Sequence, residues 1–532
     1  MNCDRGDLAR VFILALVVRA GMAILIRQPG YMDTAYYASG AMRLAQNEGL
    51  TEPFIWNYLD DPKGLPQPAY LYWMPLPSLL SALPAALFPG SFLALQLPFV
   101  LLSALLPPIT YGISWHVTSS RRLAWIAALL MLFSGFYFTF WTLPETFAPF
   151  AVVGCLALWM TAHSAERRVA VQWGHREARR MVSTVVLAGV LAGLAHLTRA
   201  DGVLVLFVAV LGIGWGVWRN GGGRRRGLWA AISLVCLLAG YLLVMTPWFV
   251  RNISLIGRPL AAGGSKTLLL TTYDDLYSYG ADISLRSYLA WGWANILRSK
   301  LWALGVNLER LMAENCLIFL LPFVLLGLYR RRRCAALLLP GAYLVVAVLA
   351  HSIAFTFPGP RGGLFHAGSA TLPFLMAAGA DGLDSAVRWA AGRRHWRARQ
   401  AQGVFGTAAV VGAIALSGYA TAVKIPQWRV ADIAYIRTGE WLAGHVTGHP
   451  VVMSGNPPAF WYHTSCSGVV VPNGGTETVL EAADRYGVEY VVLDENHPIL
   501  LSELYAGESQ HPRLVPLDVG ADDVRVFSVQ PG

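Results

Sequence analysis

The sequence predicts a mainly α, polytopic membrane protein of about eleven transmembrane helices, followed by a small C-terminal α/β extracytoplasmic domain. Three observations carry this. Of the 532 residues, 55% are hydrophobic and 14% charged, with a mean hydropathy of +0.48; one soluble core of this length cannot cover that much apolar surface. Arginines fall in short runs between apolar segments, as they do in cytoplasmic loops. From about Lys424 the chain turns polar and alternates strand and helix patterns.

The same totals exclude other classes. A net charge of +10 would suggest nucleic acid in a soluble protein, but here the basic runs serve topology and contact with anionic headgroups, and no nucleic-acid partner is expected. The six cysteines show no CxxC or metal-ligand spacing, so neither a disulfide framework nor a structural zinc site is predicted. The apolar run Leu8 to Ile26 lacks a convincing cleavage site and reads as a retained first span.

Five basic loops order the spans: Ser119–Arg122, Ala165–Arg180, Arg219–Arg226, Arg330–Arg333 and Arg388–Arg399. If all are cytoplasmic, each intervening stretch crosses the membrane an even number of times. That requirement removes Leu76 to Phe88 from the spans; it is short, carries Pro77 and Pro84, and becomes an interfacial or re-entrant helix of the first external loop. The spans are then 8–26, 91–117, 123–141, 146–163, 183–197, 203–218, 228–247, 315–329, 334–356, 370–386 and 403–422. The N-terminus lies in the cytoplasm and the C-terminus outside. A membrane domain 1–423 is expected, with a first external loop 27–90 and a second large external segment 248–314, then a soluble domain 424–532. In the latter, 432–445 and 476–486 read as helices, and 450–454, 488–494 and 524–529 as strands.

The residues with chemical potential gather on the external side. Asp33 lies just past the first span and is followed at i+3 and i+4 by Tyr36 and Tyr37; its bland reading is a helix cap. Glu145 sits in a tight Pro-Glu turn, where it can alternatively serve the dipole of the next helix. Two carboxylates in one cleft can divide labour, one accepting a proton while the other orients it or helps to hold a metal. Arg199, Arg251 and Arg361 can clamp phosphate bidentately, or else anchor at the interface or pair, Arg199 with Asp201. Tyr37, Asp201 and His366 are further candidate substrate contacts. So are Asp60 and Asp61, which also suit a turn before Pro62. The loop aromatics Phe54, Trp56, Tyr58, Tyr70, Tyr72 and Trp73 fit an interfacial belt, and His196 fits a structural role.

An acid after the first span, the Trp73-Met74-Pro75-Leu76 stretch, the Pro144-Glu145 turn and Pro247-Trp248-Phe249-Val250-Arg251-Asn252 together resemble the GT-C superfamily. These are membrane glycosyltransferases using polyprenyl-phosphate sugars; the similarity is to bacterial family 39, the protein mannosyltransferase and aminoarabinose transferase group. The resemblance implies a GT-C-like membrane domain with Asp33 as catalytic base and Glu145 as the second acid, and places donor-phosphate contacts at Arg251 and Arg361. It implies hexosyl or pentosyl transfer from a polyprenyl-phosphate donor to a hydroxyl of a glycolipid, polysaccharide or protein, with inversion, at the outer face of the cell membrane. The Lys-Pro-Pro stretch of aminoarabinose transferases is missing, which removes any ground for inferring that donor or a lipid A acceptor. No cofactor is certain; a divalent cation, Mg or Mn, stays open. The rival class is a transporter or lipid flippase for cell-envelope glycolipids, which would carry ionisable groups near the bilayer midplane.

Overall fold

A computed structural model of the chain describes residues 4–166, 175–219, 224–520 and 523–532. The amino-terminal half runs α1 (Arg5–Leu25), α2 (Met32–Ala45), α3 (Leu76–Leu87), α4 (Phe92–Thr118), α5 (Arg121–Leu132), α6 (Phe147–Glu166), α7 (His175–Thr198), α8 (Val203–Arg219) and α9 (Arg224–Ile256). Short helices α10 (Ala262–Lys266) and α11 (Leu285–Ala290) lead to α12 (Trp293–Arg310), α13 (Leu321–Arg330), α14 (Ala335–Leu349), α15 (Leu364–Gly368) and α16 (Leu372–Arg394). The last membrane helix, α17 (Ala398–His445), is continuous for 48 residues, and α18 (Pro457–Thr464), α19 (Thr476–Tyr486) and α20 (Ser502–Ala506) belong to the C-terminal region.

Among the described residues, seven helices are long and apolar enough to cross a membrane, and α3, α8 and α13 are shorter apolar helices. This is an integral membrane architecture. Several spans differ from their sequence outline. The 123–141 segment is the twelve-residue α5 followed by a 3₁₀ turn, Gly135–Phe140. α9 runs through Pro247 to Ile256. The predicted last span and the helix 432–445 are one rod, because Pro426 sits inside α17 without ending it. The second external segment contains α12, which the apolar pattern alone did not mark.

The even number of crossings has a direct physical counterpart. Asp7, fully buried at the start of α1, bonds Arg121 at the start of α5 (2.6 Å). Both helix starts therefore lie on one face, which excludes a crossing by α3. Arg122 and Arg388 pair with Asp384, Arg331 pairs with Asp381 (3.2 Å), Arg219 donates to the Arg333 carbonyl, and Glu166 accepts from the Ala335 amide. All five basic regions thus meet on one basic face. α3 turns Ser78 and Ser81 inward, each bonded to backbone of α2 or α4, and leaves Leu79, Leu83 and Leu87 exposed; this is the amphipathicity of an interfacial helix.

The opposite face carries the α/β region. β1 (Thr51–Glu52), β2 (Phe54–Ile55) and β3 (Gln67–Pro68) come from the first loop, and β4 (Val452–Ser454), β5 (Gly468–Val470), β6 (Tyr490–Leu493), β7 (Leu514–Leu517) and β8 (Arg525–Val529) from the C-terminal region. The main sheet has the order β2-β5-β4-β6-β8-β7, with β2, β5, β4 and β6 parallel. β2 is thus supplied from more than 400 residues upstream, Phe54 opposite Gly468, and Tyr58 reinforces it by donating to the Val470 carbonyl (2.6 Å). The C-terminal sheet is closed by the loop that follows Asp33.

Candidate active site

Asp33 lies in the first turn of α2, where Tyr31 takes the N-cap position. The chain reaches that turn through Gly30, whose φ of +77° suits glycine and whose missing Cβ leaves room for Trp428. Glu145 arrives on the turn between the 3₁₀ segment and α6, and His366 on α15. His366 stands between the acids: its Nε2 is 3.7 Å from Asp33 Oδ2 and its Nδ1 is 3.8 Å from Glu145 Oε2. The ring is fixed by stacking on Phe147 (3.9 Å between centroids) and by Thr146 Oγ1 at 2.8 Å from Nδ1.

A second cluster abuts the first. Arg199 donates through Nε and Nη2 to the two Asp201 oxygens, both at 2.9 Å, and its Nη1 reaches Thr146 (3.4 Å). His351 Nε2 lies 3.1 Å from Asp201. Arg199's charge is therefore largely compensated. Arg361 lies over the ring of Tyr273 at 4.9 Å and has no carboxylate partner among the described residues.

Burial sets the protonation pattern. It pushes Asp33 up to about 6, against the pull of Arg199. It pushes Glu145 further, well above the usual carboxylate range, and the charge of Asp33 adds to the effect. Burial and Arg199 hold His366 well below its ordinary value, so the imidazole is neutral. Burial opposes the ionisation of Asp201, but Arg199 and His351 outweigh it and keep Asp201 a carboxylate. The centre thus pairs two carboxyls whose acidity differs, Glu145 held to its proton more strongly than a free carboxyl, the division of roles two close carboxyls adopt when their surroundings differ.

Two cavities meet here. One of about 210 Å³ is lined by Asp33, Tyr37, Arg199, Asp201, His351 and His366, with Trp56, Tyr72 and Trp73 as aromatic walls. The other, about 410 Å³, is lined by Phe136, Phe140, Phe147, Tyr419, Val423 and Lys424. Asp33, Arg361, Gly362 and His366 line both.

Of the residues expected from sequence, Asp33, Tyr37, Arg199, Asp201, Arg361 and His366 line the smaller cavity. Glu145 stands behind His366, fully buried, with neither oxygen hydrogen-bonded among the described residues. Arg251 does not reach the cavity: it donates to the Leu50 and Ala69 carbonyls and lies over Trp248, tying the first loop to α9. Asp60 and Asp61 line a separate cavity, and Asp61 pairs with Arg485 (2.8 Å). Tyr36 turns away from Asp33 to bond the buried Glu52. His196 bonds Tyr241 (2.6 Å) away from the acids, a structural contact. His351, Thr146 and Lys424 were not expected; a lone histidine in the last turns of an apolar span was the available signal for His351.

The carboxylate-carboxylate-imidazole set offers ligand atoms mutually within 4.8 Å. With two unpartnered Glu145 oxygens, that set fits a divalent cation, and a mixed oxygen and nitrogen set suits Mn or Zn better than Mg.

No family model and no curated protein sequence matches the chain, but solved structures do. ArnT from Cupriavidus metallidurans, bound to undecaprenyl phosphate, superposes with a TM-score of 0.55 at 15% identity over 100% of both chains. The Archaeoglobus fulgidus oligosaccharyltransferase, in complex with Zn and sulfate, superposes with a TM-score of 0.56 at 16% identity over 94% of this chain and 68% of that one. The chain has the GT-C fold. The GT-C resemblance read from short motifs in the external loops therefore extends, as fold, to the whole chain, including the α/β region beyond the motifs.

Proposed function

We propose that the protein is a glycosyltransferase that moves a sugar from a polyprenyl-phosphate donor to an acceptor hydroxyl, at the membrane face opposite the basic loops, with inversion. The observation that carries this reading is Asp33 at the junction of two cavities. The 410 Å³ cavity has aromatic walls, and its α17 side chains Tyr419 and Val423 are also exposed on the apolar outer surface, a lateral route for a prenyl chain. Of its cations, Arg310 is paired with Glu314, and Arg361 and Lys424 suit the phosphate. Arg199, neutralised by Asp201, is left to shape the sugar side. The neighbours' undecaprenyl phosphate and dolichol-phosphate are ligands of this kind.

In this reaction the acceptor oxygen forms a bond to the anomeric carbon as the carbon–oxygen bond to phosphate breaks. The hydroxyl proton passes to Asp33, and the electron pair leaves on the phosphate. Phosphate leaves readily, so positioning and charge stabilisation supply most of the acceleration. A bound divalent cation held by Asp33, Glu145 and His366 would supply positive charge to the phosphate. Asp33 lines the cavity while Glu145 stands behind His366, which leaves Asp33 as the base.

The test is transfer by the purified full-length protein from a panel of radiolabelled polyprenyl-phosphate sugars, with Asp33→Asn alongside. Donor turnover lost in Asp33→Asn supports the assignment. Full activity in that variant removes Asp33 as base, and no turnover of any donor by the wild type turns the reading toward transport.

A further inference from the structure

The cavity at Asp33 is small. At about 210 Å³ it falls below the roughly 300–1,000 Å³ of most ligand sites, so an acceptor larger than one ring must continue past it. The aromatic cavity toward α17 is taken by the donor in the transfer reading, on which the present inference rests. A third cavity, about 610 Å³, lies under the first loop and shares two walls with the reaction cavity, Trp56 and Tyr72. These rings stand edge to face at 5.0 Å between centroids, and Trp73 stacks on Trp56 at 4.3 Å.

Beyond the aromatic pair the third cavity is lined by Asn57, Asp60, Asp61, Gln67 and Lys63, with Leu255 and Ile256 of α9 at its edge. Glu52 forms part of the wall, but its oxygens are engaged by Tyr36, Gln67 and the Tyr70 amide. Planar amides and carboxylates beside aromatic rings match vicinal hydroxyls and the flat faces of sugar rings. Asp61 is paired with Arg485 and Asp60 lies near Lys266 and Arg258, so the acids of the lining are largely compensated, which suits a neutral acceptor. A larger cavity of about 700 Å³ between α17 and the C-terminal sheet shares only Met32 with the reaction cavity.

We propose that the cavity under the first loop, which abuts the reaction cavity across Trp56 and Tyr72, is the acceptor subsite and takes a neutral oligosaccharide of two or more sugars that passes beside these rings. Its terminal hydroxyl reaches Asp33, and the preceding sugars lie along Asn57 and Asp60.

The experiment uses the full-length protein in lipid nanodiscs with an active polyprenyl-phosphate sugar. Acceptors are methyl glycosides of one to three sugars in the gluco, manno and galacto series. The expected result is an acceptor KM at least tenfold lower for the trisaccharide than for the monosaccharide, with that ratio collapsing toward one in the Asn57→Ala/Asp60→Asn double variant. The ratio is internal to each preparation, so partial misfolding does not imitate the result. A photoreactive trisaccharide supplies a second measurement that needs no variant and is expected to label residues 57–67. Equal KM values for one and three sugars, labelling at 494–496 instead, or transfer only to a serine- or threonine-bearing peptide would each overturn the subsite. Loss of all donor turnover, to water as well as to sugars, would overturn the transfer reading beneath it.

Discussion

Asp432, on the C-terminal half of α17, accepts a hydrogen bond from the backbone N–H of Gly30 (3.1 Å), three residues ahead of Asp33. His463 of α18 bonds the other Asp432 oxygen at 3.1 Å, and Tyr31 stacks on Trp428, 5.3 Å between centroids. The last membrane helix and the α/β region therefore hold the turn that aims Asp33. Asp432→Ala should leave two buried donors unpaired, at a cost of about 1–3 kcal/mol each. Gly30→Ala should add left-handed strain of about 1–2 kcal/mol and a methyl 2.6 Å from the Trp428 side chain. Both variants are expected to lower the thermal unfolding midpoint in detergent and to slow transfer.

The raised Asp33 value gives the pH dependence a sign. Below about 6 the carboxyl is protonated and cannot accept a proton; above it the carboxylate is available. The rate constant kcat/KM should fall tenfold per pH unit on the acid side and level off above about pH 6 to 7, and Asp33→Asn should lose roughly 10²- to 10⁴-fold in rate. An acid limb still centred near pH 6 in Asp33→Asn would assign the titration to another group.

Much of this was legible because it is one-dimensional. The crossings follow from apolar length and basic runs, and the Asp7–Arg121 pair shows why the basic runs share a face: the arginines neutralise buried acids, Asp7 at the start of α1 and Asp381 and Asp384 within α16. Asp33 stood out as an acid at the start of the long first external loop, and Glu145 and His366 as ionisable residues in shorter external connections. Contacts across the chain were not legible. Arg251 shares its residue type and face with Arg361, and only the fold shows that one binds carbonyls while the other is free in the cavity. β2 is two residues long and acquires its strand conformation from β5, so no local periodicity announces it.

Burial and the charge of Asp33 raise Glu145, so a cation competes with a proton for its carboxylate. Mn²⁺ binding is therefore expected to release protons and to tighten as pH rises. In Glu145→Gln the proton release should vanish and the affinity should drop. Calorimetry in two buffers of different ionisation enthalpy measures the release directly, without turnover.

The two arginines of the site should separate kinetically. Arg361, uncompensated and shared by both cavities, is expected to carry donor phosphate, so Arg361→Gln should raise the donor KM at least tenfold, the loss of a charge-assisted contact of about 1.5–3 kcal/mol. Arg199→Gln removes the partner of buried Asp201 and should destabilise the fold by about 3–5 kcal/mol. Thermal unfolding and donor KM, measured on both variants, distinguish the two roles.

The orientation in the membrane is the remaining prediction, and the structure supplies paired positions for it. Gly392, near the end of α16 on the basic face, has no atom within 4 Å of the place a Cβ would occupy, so Gly392→Cys costs no packing. Ile499, in the α/β region on the opposite face, is 84% exposed. If the basic face is cytoplasmic, a membrane-impermeant maleimide should label Ile499→Cys in intact cells and Gly392→Cys only after permeabilisation, on a background lacking the native cysteines. The lateral cavity beside α17 and the Asp33 cluster lie on the Ile499 side, so the same labelling assigns the leaflet from which a prenyl-phosphate donor is drawn. Labelling in the reverse order would place the Asp33 cluster and its lateral cavity on the cytoplasmic side.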